Sequence, residues 1–210
     1  MSGALQAVFQ NQRSFGPPIG SAYGGGFYAG QISTTGNGVA THNLVIGPLS
    51  TAQSTSKWKT SDTLTSGTSS VIDGPTNSAN MNDASHPAAQ FCEGLTIGGF
   101  SDWYMPAKNE LEVCYYNLKP TTASNNTSSG TNTNAVPSRG SSYTSGTPAQ
   151  TSAADFQTGN SEAFGNFIYW SSTQLNTPYS YCQYFPNGQQ LITYKSNPTI
   201  RVRAVRRVAV

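Results

Sequence analysis

The hydrophobic positions of this chain change period along its length. Two short apolar runs, "GGFYAGQIS" (25–33) and "HNLVIGPL" (42–49), flank "TTGNGVAT", whose Gly-Asn-Gly carries turn chemistry; they predict two strands. Further on, Ala84, Ala88, Phe91, Cys92 and Leu95 fall at offsets 0, 4, 7, 8 and 11, which is helical spacing with one apolar face. Pro87 fits only a first turn, so this helix is predicted to start near Ser85. Ala107, Leu111, Cys114, Tyr115 and Leu118 share the face of a second helix, with Pro106 at its first position and Pro120 as its stop. The period then returns to two: "NFIYWSST" (166–173), "YSYCQYFPNG" (179–188) and "QQLITYKSN" (189–197) predict strands with a hairpin at Pro186-Asn187-Gly188. The chain ends in "IRVRAVRRVAV", read as one terminal strand with a buried valine face.

Three stretches break these periods. Residues 1–20 carry Leu5, Val8, Phe9 and Phe15 without regular spacing, and "FGPPIG" stops any regular element. This segment either packs on its own domain or docks on a neighbour; docking is favoured, giving an N-terminal arm (1–20) and a domain (21–210). Residues 51–80 are rich in Ser and Thr, with Trp58 and Val71-Ile72 as anchors. Residues 121–163 are dominated by Thr, Ser, Asn, Gly and Ala. That composition suits a disordered linker, but Val136, Tyr143 and Phe156 are spread through it as packing anchors would be, and long structureless loops are rare within compact domains. An ordered polar insertion is expected.

Composition narrows the function. Only 10% of the 210 residues are charged, against about 25% in ordinary domains, so solubility rests on neutral polar groups. A net charge of +2 makes no case for nucleic acid, and the four terminal arginines interleave with apolar partners as a basic tail would not. The three cysteines, Cys92, Cys114 and Cys182, are widely spaced; they suggest buried free thiols rather than a disulfide framework or a metal site. No segment approaches a membrane span, and the first residues lack the cationic and apolar regions of a signal peptide, so synthesis in a cytoplasm is expected.

Three motifs stand in order: "GGFSDWYMPAKNEL" (98–111), "YWSST" (169–173) and "FPNGQQLITYKSNPTIRVRAVRRV" (185–208). Over roughly residues 23–208 the chain resembles the C-terminal domain of Lcl-type bacterial adhesins, and more remotely phage receptor-binding proteins. The resemblance implies an α+β, C-type-lectin-like fold with two helices packed on short antiparallel sheets and long ordered loops. It also implies that Asp102, Trp103, Glu110, Leu111 and Trp170 are structural positions. Many such domains belong to phage virion or tail-fibre proteins, and the absent signal peptide and docking arm suit that setting.

The chemistry of an enzyme is sparse. Neither His42 nor His86 sits in a recognisable triad order, and Glu110 and Glu112, two apart on a helix, point to different faces. Asp102 is placed to accept backbone N–H groups in the turn before that helix. No acid occurs in 169–195, so neither a calcium ion nor any other cofactor is expected. A ligand would be held by aromatic stacking and neutral hydrogen bonds, and Gln174, Asn176, Tyr179, Tyr181, Gln183 and Tyr184 supply both; the tyrosines could instead alternate into the core. The expectation is a non-enzymatic virion protein of tail or fibre, homo-oligomeric, held to other virion proteins by its arm and binding a host-surface glycan or protein. The alternatives are a purely structural decoration or baseplate component, or a secreted adhesin.

Overall fold

The computed structural model describes residues 16–210. In chain order the strands are β1 (Ala22–Tyr23), β2 (Gly26–Ile32), β3 (His42–Ile46), β4 (Gln53–Thr55), β5 (Ala135–Val136), β6 (Ile168–Gln174), β7 (Tyr179–Tyr184), β8 (Gln189–Tyr194), β9 (Arg201–Arg203) and β10 (Val205–Ala209). The helices are α1 (Leu49–Ala52), α2 (Gly74–Ala79), α3 (Pro87–Glu93) and α4 (Lys108–Leu118). One sheet has the order β1-β2-β3-β10, with β5 added beside the end of β2; the other has the order β4-β9-β6-β7-β8. The pairings are antiparallel except β6 with β9. Helices and mostly antiparallel sheets together make a mixed α+β chain.

The buried apolar side chains form two cores. Ile32, Leu44, Ile46 and Val205 of the first pack with Leu111, Cys114, Tyr115 and Leu118 of α4 and with Tyr169, Phe164 and Phe185. The second core holds the three tryptophans, Trp58, Trp103 and Trp170, with Met81, Met105, Cys92, Cys182 and Val202. All three cysteines are buried and free.

The single terminal strand read from "IRVRAVRRVAV" is corrected. The run divides at Ala204 into β9 and β10, which belong to different sheets. Ala204 is the pivot: its N–H donates to Ala52 O at 2.9 Å and its carbonyl accepts from Gly47 N at 2.9 Å. Crossing between sheets gives both sides of the run a core to face, so Val202 and Val205 are buried and so are Arg203 and Arg206.

The helix starts also move. α4 begins at Lys108, not Pro106, because Ala107 is its extended cap residue and Glu110 reaches back to accept Ala107 N–H at 2.8 Å. Pro106 lies outside the helix, where its carbonyl accepts from Ser172 N at 2.7 Å. α3 begins at Pro87 with His86 as cap. The Ser/Thr-rich stretch contributes two short helices and β4 beyond the two helices expected, and Val71 is 40% exposed rather than an anchor, whereas Trp58 is fully buried.

The polar insertion is ordered by amides as much as by its aromatics. Tyr143 and Phe156 are buried. Asn125 accepts Tyr115 O–H at 2.6 Å and donates to Pro148 O at 2.8 Å. Asn132 donates to Asn109 O at 2.8 Å, and Asn134 to Ser33 O at 2.8 Å, which seats β5 beside β2. Residues 1–15 of the expected arm lie outside the described residues. Its last residues belong to the domain: Ile19 packs on the first core and Gly20 N donates to Tyr28 O at 2.8 Å.

Candidate functional site

The Gly-Gly-Phe-Ser-Asp-Trp corner forms around a tight backbone approach. Gly98 has φ +62°, and a Cβ there would lie 2.8 Å from Gly25 Cα. The turn delivers Trp103 into the second core, 1% exposed, with Nε1 donating to Phe100 O at 3.0 Å. Asp102 does not accept turn N–H groups as expected. It takes the Arg206 guanidinium on both oxygens, at 2.7 and 2.9 Å, while Arg206 Nη1 donates to Gly24 O at 2.9 Å. Arg206 thereby holds the Asp102 carboxyl below its ordinary range.

Three further acids are engaged by arginines. Glu110, fully buried, accepts from Arg207 Nε at 2.7 Å and from Tyr104 O–H. Glu112 accepts from Arg139, from Tyr143 O–H at 2.7 Å and from Asn132 at 2.5 Å. Buried Arg203 donates to Glu162 Oε2 at 2.6 Å, to Glu162 O at 2.8 Å and to Gly47 O at 2.8 Å. Glu110 and Glu112 thus serve separate arginines from separate helix faces. Leu111 and Trp170 are buried in the first and second cores respectively.

One hydrogen-bonded chain has the order of a nucleophilic triad: Thr65 Oγ1 lies 2.9 Å from His86 Nε2, and His86 Nδ1 lies 2.9 Å from Asp83 Oδ1. Thr65 and His86 are buried, and the hydroxyl oxygen also accepts from Lys59 Nζ at 3.0 Å. These bonds fasten the loop at Thr65 to the cap of α3. Among the described residues, no group of three or more His, Cys, Asp and Glu is placed to hold a metal ion, and no helix is long and apolar enough to cross a membrane.

The six candidate ligand residues do not share one environment. Gln174 and Gln183 are buried. Gln174 is saturated: its oxygen accepts from Thr65 N at 3.2 Å and Lys195 Nζ at 2.8 Å, and its amide donates to Thr65 O at 2.6 Å. It fastens a loop and is withdrawn as a ligand residue. Tyr184 turns away from the others and donates to Asn166 Oδ1 at 2.7 Å, on the rim of a cleft of about 370 Å³ lined by Thr121, Asn160, Phe164 and Pro186. Asn176 is exposed in the loop before β7.

Tyr179, Tyr181 and Gln183 alternate along β7 and so share one face. Each has a cross-strand partner on β8: Tyr194, Ile192 and Gln190 respectively. Ile192 is 47% and Tyr194 52% exposed, and the Tyr179 and Tyr194 rings lie 4.9 Å apart. Lys108, the first residue of α4, holds its ammonium 5.0 Å from the Tyr181 ring centroid. The sequence expectation named the β7 half of this face and did not name Gln190, Ile192, Tyr194 or Lys108. The alternation of "QQLITY" opposite "YSYCQY" across the hairpin was the available signal for the first three; Lys108 comes from elsewhere in the chain, and no local pattern marks it.

The Lcl C-terminal domain family matches residues 51–206, which is most of the chain. The chain belongs to that family. The match begins after β3 and takes in both tryptophan motifs, the polar insertion and the β6–β8 hairpin region of the Lcl C-terminal domain, up to Arg206. No curated protein matches the chain.

Proposed function

We propose that this Lcl C-terminal domain is a non-enzymatic, metal-independent binding module of a phage tail or fibre, with a C-type-lectin-like fold, and that it recognises a host-surface receptor or glycan through the outer face of β7 and β8. The observation that carries this reading is the cluster of Tyr179, Tyr181, Ile192 and Tyr194 on that face, two of them about half exposed, in a chain whose other tyrosines and tryptophans largely serve its cores. Tyrosine offers large contact area at low entropic cost, and side chains of this type dominate adaptable recognition surfaces. Family membership supports an adhesin-like role, and homo-oligomeric display on the particle, anchored through the N-terminal segment, would multiply weak contacts.

The test is a double substitution, Tyr179→Ala with Tyr194→Ala, measured for melting and for adsorption of the purified protein to bacterial cells. Intact melting with lost adsorption is the expected result; intact adsorption would remove this face from consideration. A purely structural role in the particle is the second reading, favoured by the low charge content, which lets neutral surfaces pack with little desolvation of charge. A variant beginning at Gly16 that still enters particles would exclude attachment through residues 1–15 and weaken both readings of the arm.

A further inference from the structure

Two open clefts adjoin around Ile19, away from the β7–β8 face. The first, of about 320 Å³, is lined by Gly16, Pro17, Ile19, Tyr28 and Val136. The second, of about 340 Å³, is lined by Ile19, Tyr116, Pro148 and Ala149. Ile19 and Asn117 belong to both, so the clefts are neighbours across one ridge. Among the described residues that line them there is no Asp, Glu, Lys, Arg or His. Ile19 and Tyr116 pack on the first core but are only partly buried. The backbone enters this region at a fixed point. Gly20 N donates to Tyr28 O at 2.8 Å, and Ser21 donates to Pro18 O from its N–H at 3.0 Å and from its hydroxyl at 2.7 Å. A Cβ at Gly16 would overlap the Tyr28 hydroxyl, so glycine is what lets the backbone cross that ring. The peptide bond to residue 15 therefore starts at the wall of the first cleft.

We infer that this pair of clefts is a docking groove for residues 1–15 of the same chain. The segment matches the groove in order, reach and charge. Phe15 adjoins Gly16 and meets the first cleft; residues 10–14, "QNQRS", are a polar spacer; Leu5, Val8 and Phe9 are an apolar block for the second cleft. Five extended residues reach up to roughly 17 Å, enough to pass from one cleft to another that shares its wall. The segment's one charged side chain, Arg13, lies in the spacer, so seating the apolar block in a neutral cleft desolvates no charge. A second copy carries the same segment, but the tether at Gly16 gives the chain's own segment an effective concentration on the order of millimolar, which a separate copy must match in solution. The inference does not rest on the β7–β8 face as the binding surface. It adds a condition to attachment through the N-terminal segment: the apolar side chains that would hold the domain to the particle are covered in the free protein and must first leave the groove.

The experiment uses the full chain. Trypsin cuts after Arg13 only when the residues around it are free to extend into the protease, so the rate at which residues 1–13 are released, read by mass spectrometry, reports docking. Val8→Ser with Phe9→Ser should speed that release by about tenfold or more, the equivalent of one lost apolar burial. Equal rates in the two proteins would overturn the groove. A cysteine pair then shows whose groove is filled. Phe9→Cys is combined with Ala149→Cys, at an exposed position on the rim of the second cleft; the three native thiols are buried and do not compete. Mild oxidation is expected to give a monomer with one new disulfide. A disulfide-linked dimer would overturn docking on the same chain and give the groove to a second copy, and no disulfide at all would overturn the groove. Adding Leu5→Ser and Val8→Ser to the cysteine pair should slow the cross-link by about tenfold. An unchanged rate would mean that collisions of a tethered segment account for the disulfide, and the docking would fall.

Discussion

Two regions of this domain use arginine, tyrosine and amide side chains to opposite ends. At the corner where β9 passes into β10, Arg203, Arg206 and Arg207 each meet a carboxylate and at least one backbone carbonyl, and the acids are committed in turn. On the outer face of β7 and β8, Tyr194 and Ile192 are about half exposed and Tyr179 and Tyr181 partly so. The charged corner has the residue types of an active site and the bonding of a joint. The neutral face has the residue types of an ordinary surface, and its aromatic side chains are committed to neither core.

The largest expected effect breaks the joint. Trp103→Ala removes a ring that is 1% exposed from the second core and should cost about 3–5 kcal/mol, enough to unfold many domains of this size. The check is urea denaturation. A variant with near-native melting that has lost ligand binding would make the corner the site and reverse the comparison.

Gln174→Ala comes next and tests which side of the comparison that residue joins. It lies beside the tyrosine face in sequence but bonds Lys195 and the backbone of Thr65. Its loss leaves the buried Thr65 N–H unpaired and takes one of two acceptors from the Lys195 ammonium, which keeps Thr63 O at 3.0 Å, and should cost about 1–3 kcal/mol. Adsorption measured below the melting transition should be unchanged.

The reason Gln174 was misread from sequence is general to this chain. Period and turn chemistry placed β2, β3, α3, α4 and the β6–β8 run to within a few residues, because their apolar side chains recur at strand or helix spacing against the two cores. The C-terminal arginines defeated the same reasoning. Their strand face was legible, but the change of sheet at Ala204 depends on Ala52 and Gly47, some 150 positions away. Burial of Gln174 and Gln183 likewise depends on Thr65, Lys195, Tyr143 and Gly188, which no local pattern ties to them. Half of the candidate face was readable because Tyr179 and Tyr181 alternate; the other half came from the hairpin partner.

A smaller effect concerns alkaline pH and the thiols buried in the two cores. Burial raises all three, Cys182 to about 12. The unfolded thiol ionises near ~8.5, so above that pH the unfolded chain has released protons that the folded chain keeps. Stability held below ~8.5 is therefore lost as pH rises toward the folded value, by about 1.4 kcal/mol per pH unit for each thiol. Lys195 acts in the opposite sense: burial, then Lys59, lowers it to about 8, so the folded chain gives up that proton first and gains stability between there and the unfolded lysine range. Denaturation at pH 8, 9 and 10 should show a net fall, with a shallower slope in Cys182→Ala and a steeper one in Lys195→Met. Equal slopes in all three proteins would mean that neither group is held as the packing requires.

The smallest expected effect on stability falls on the neutral face, and it completes the contrast. Tyr179 and Tyr194 touch each other at 4.9 Å between ring centroids and share a hydroxyl contact of 3.3 Å, but Tyr194 is 52% exposed and neither belongs to either core. Exposed cross-strand pairs of this type contribute roughly 0.2–1 kcal/mol. Replacing both with alanine should therefore shift the urea midpoint by no more than that amount, while Trp103→Ala shifts it several-fold further. A loss from the tyrosine pair approaching the cost of Trp103 would mean that the hairpin depends on these rings for its register. The face would then be a second joint, and exposure would no longer distinguish the two regions.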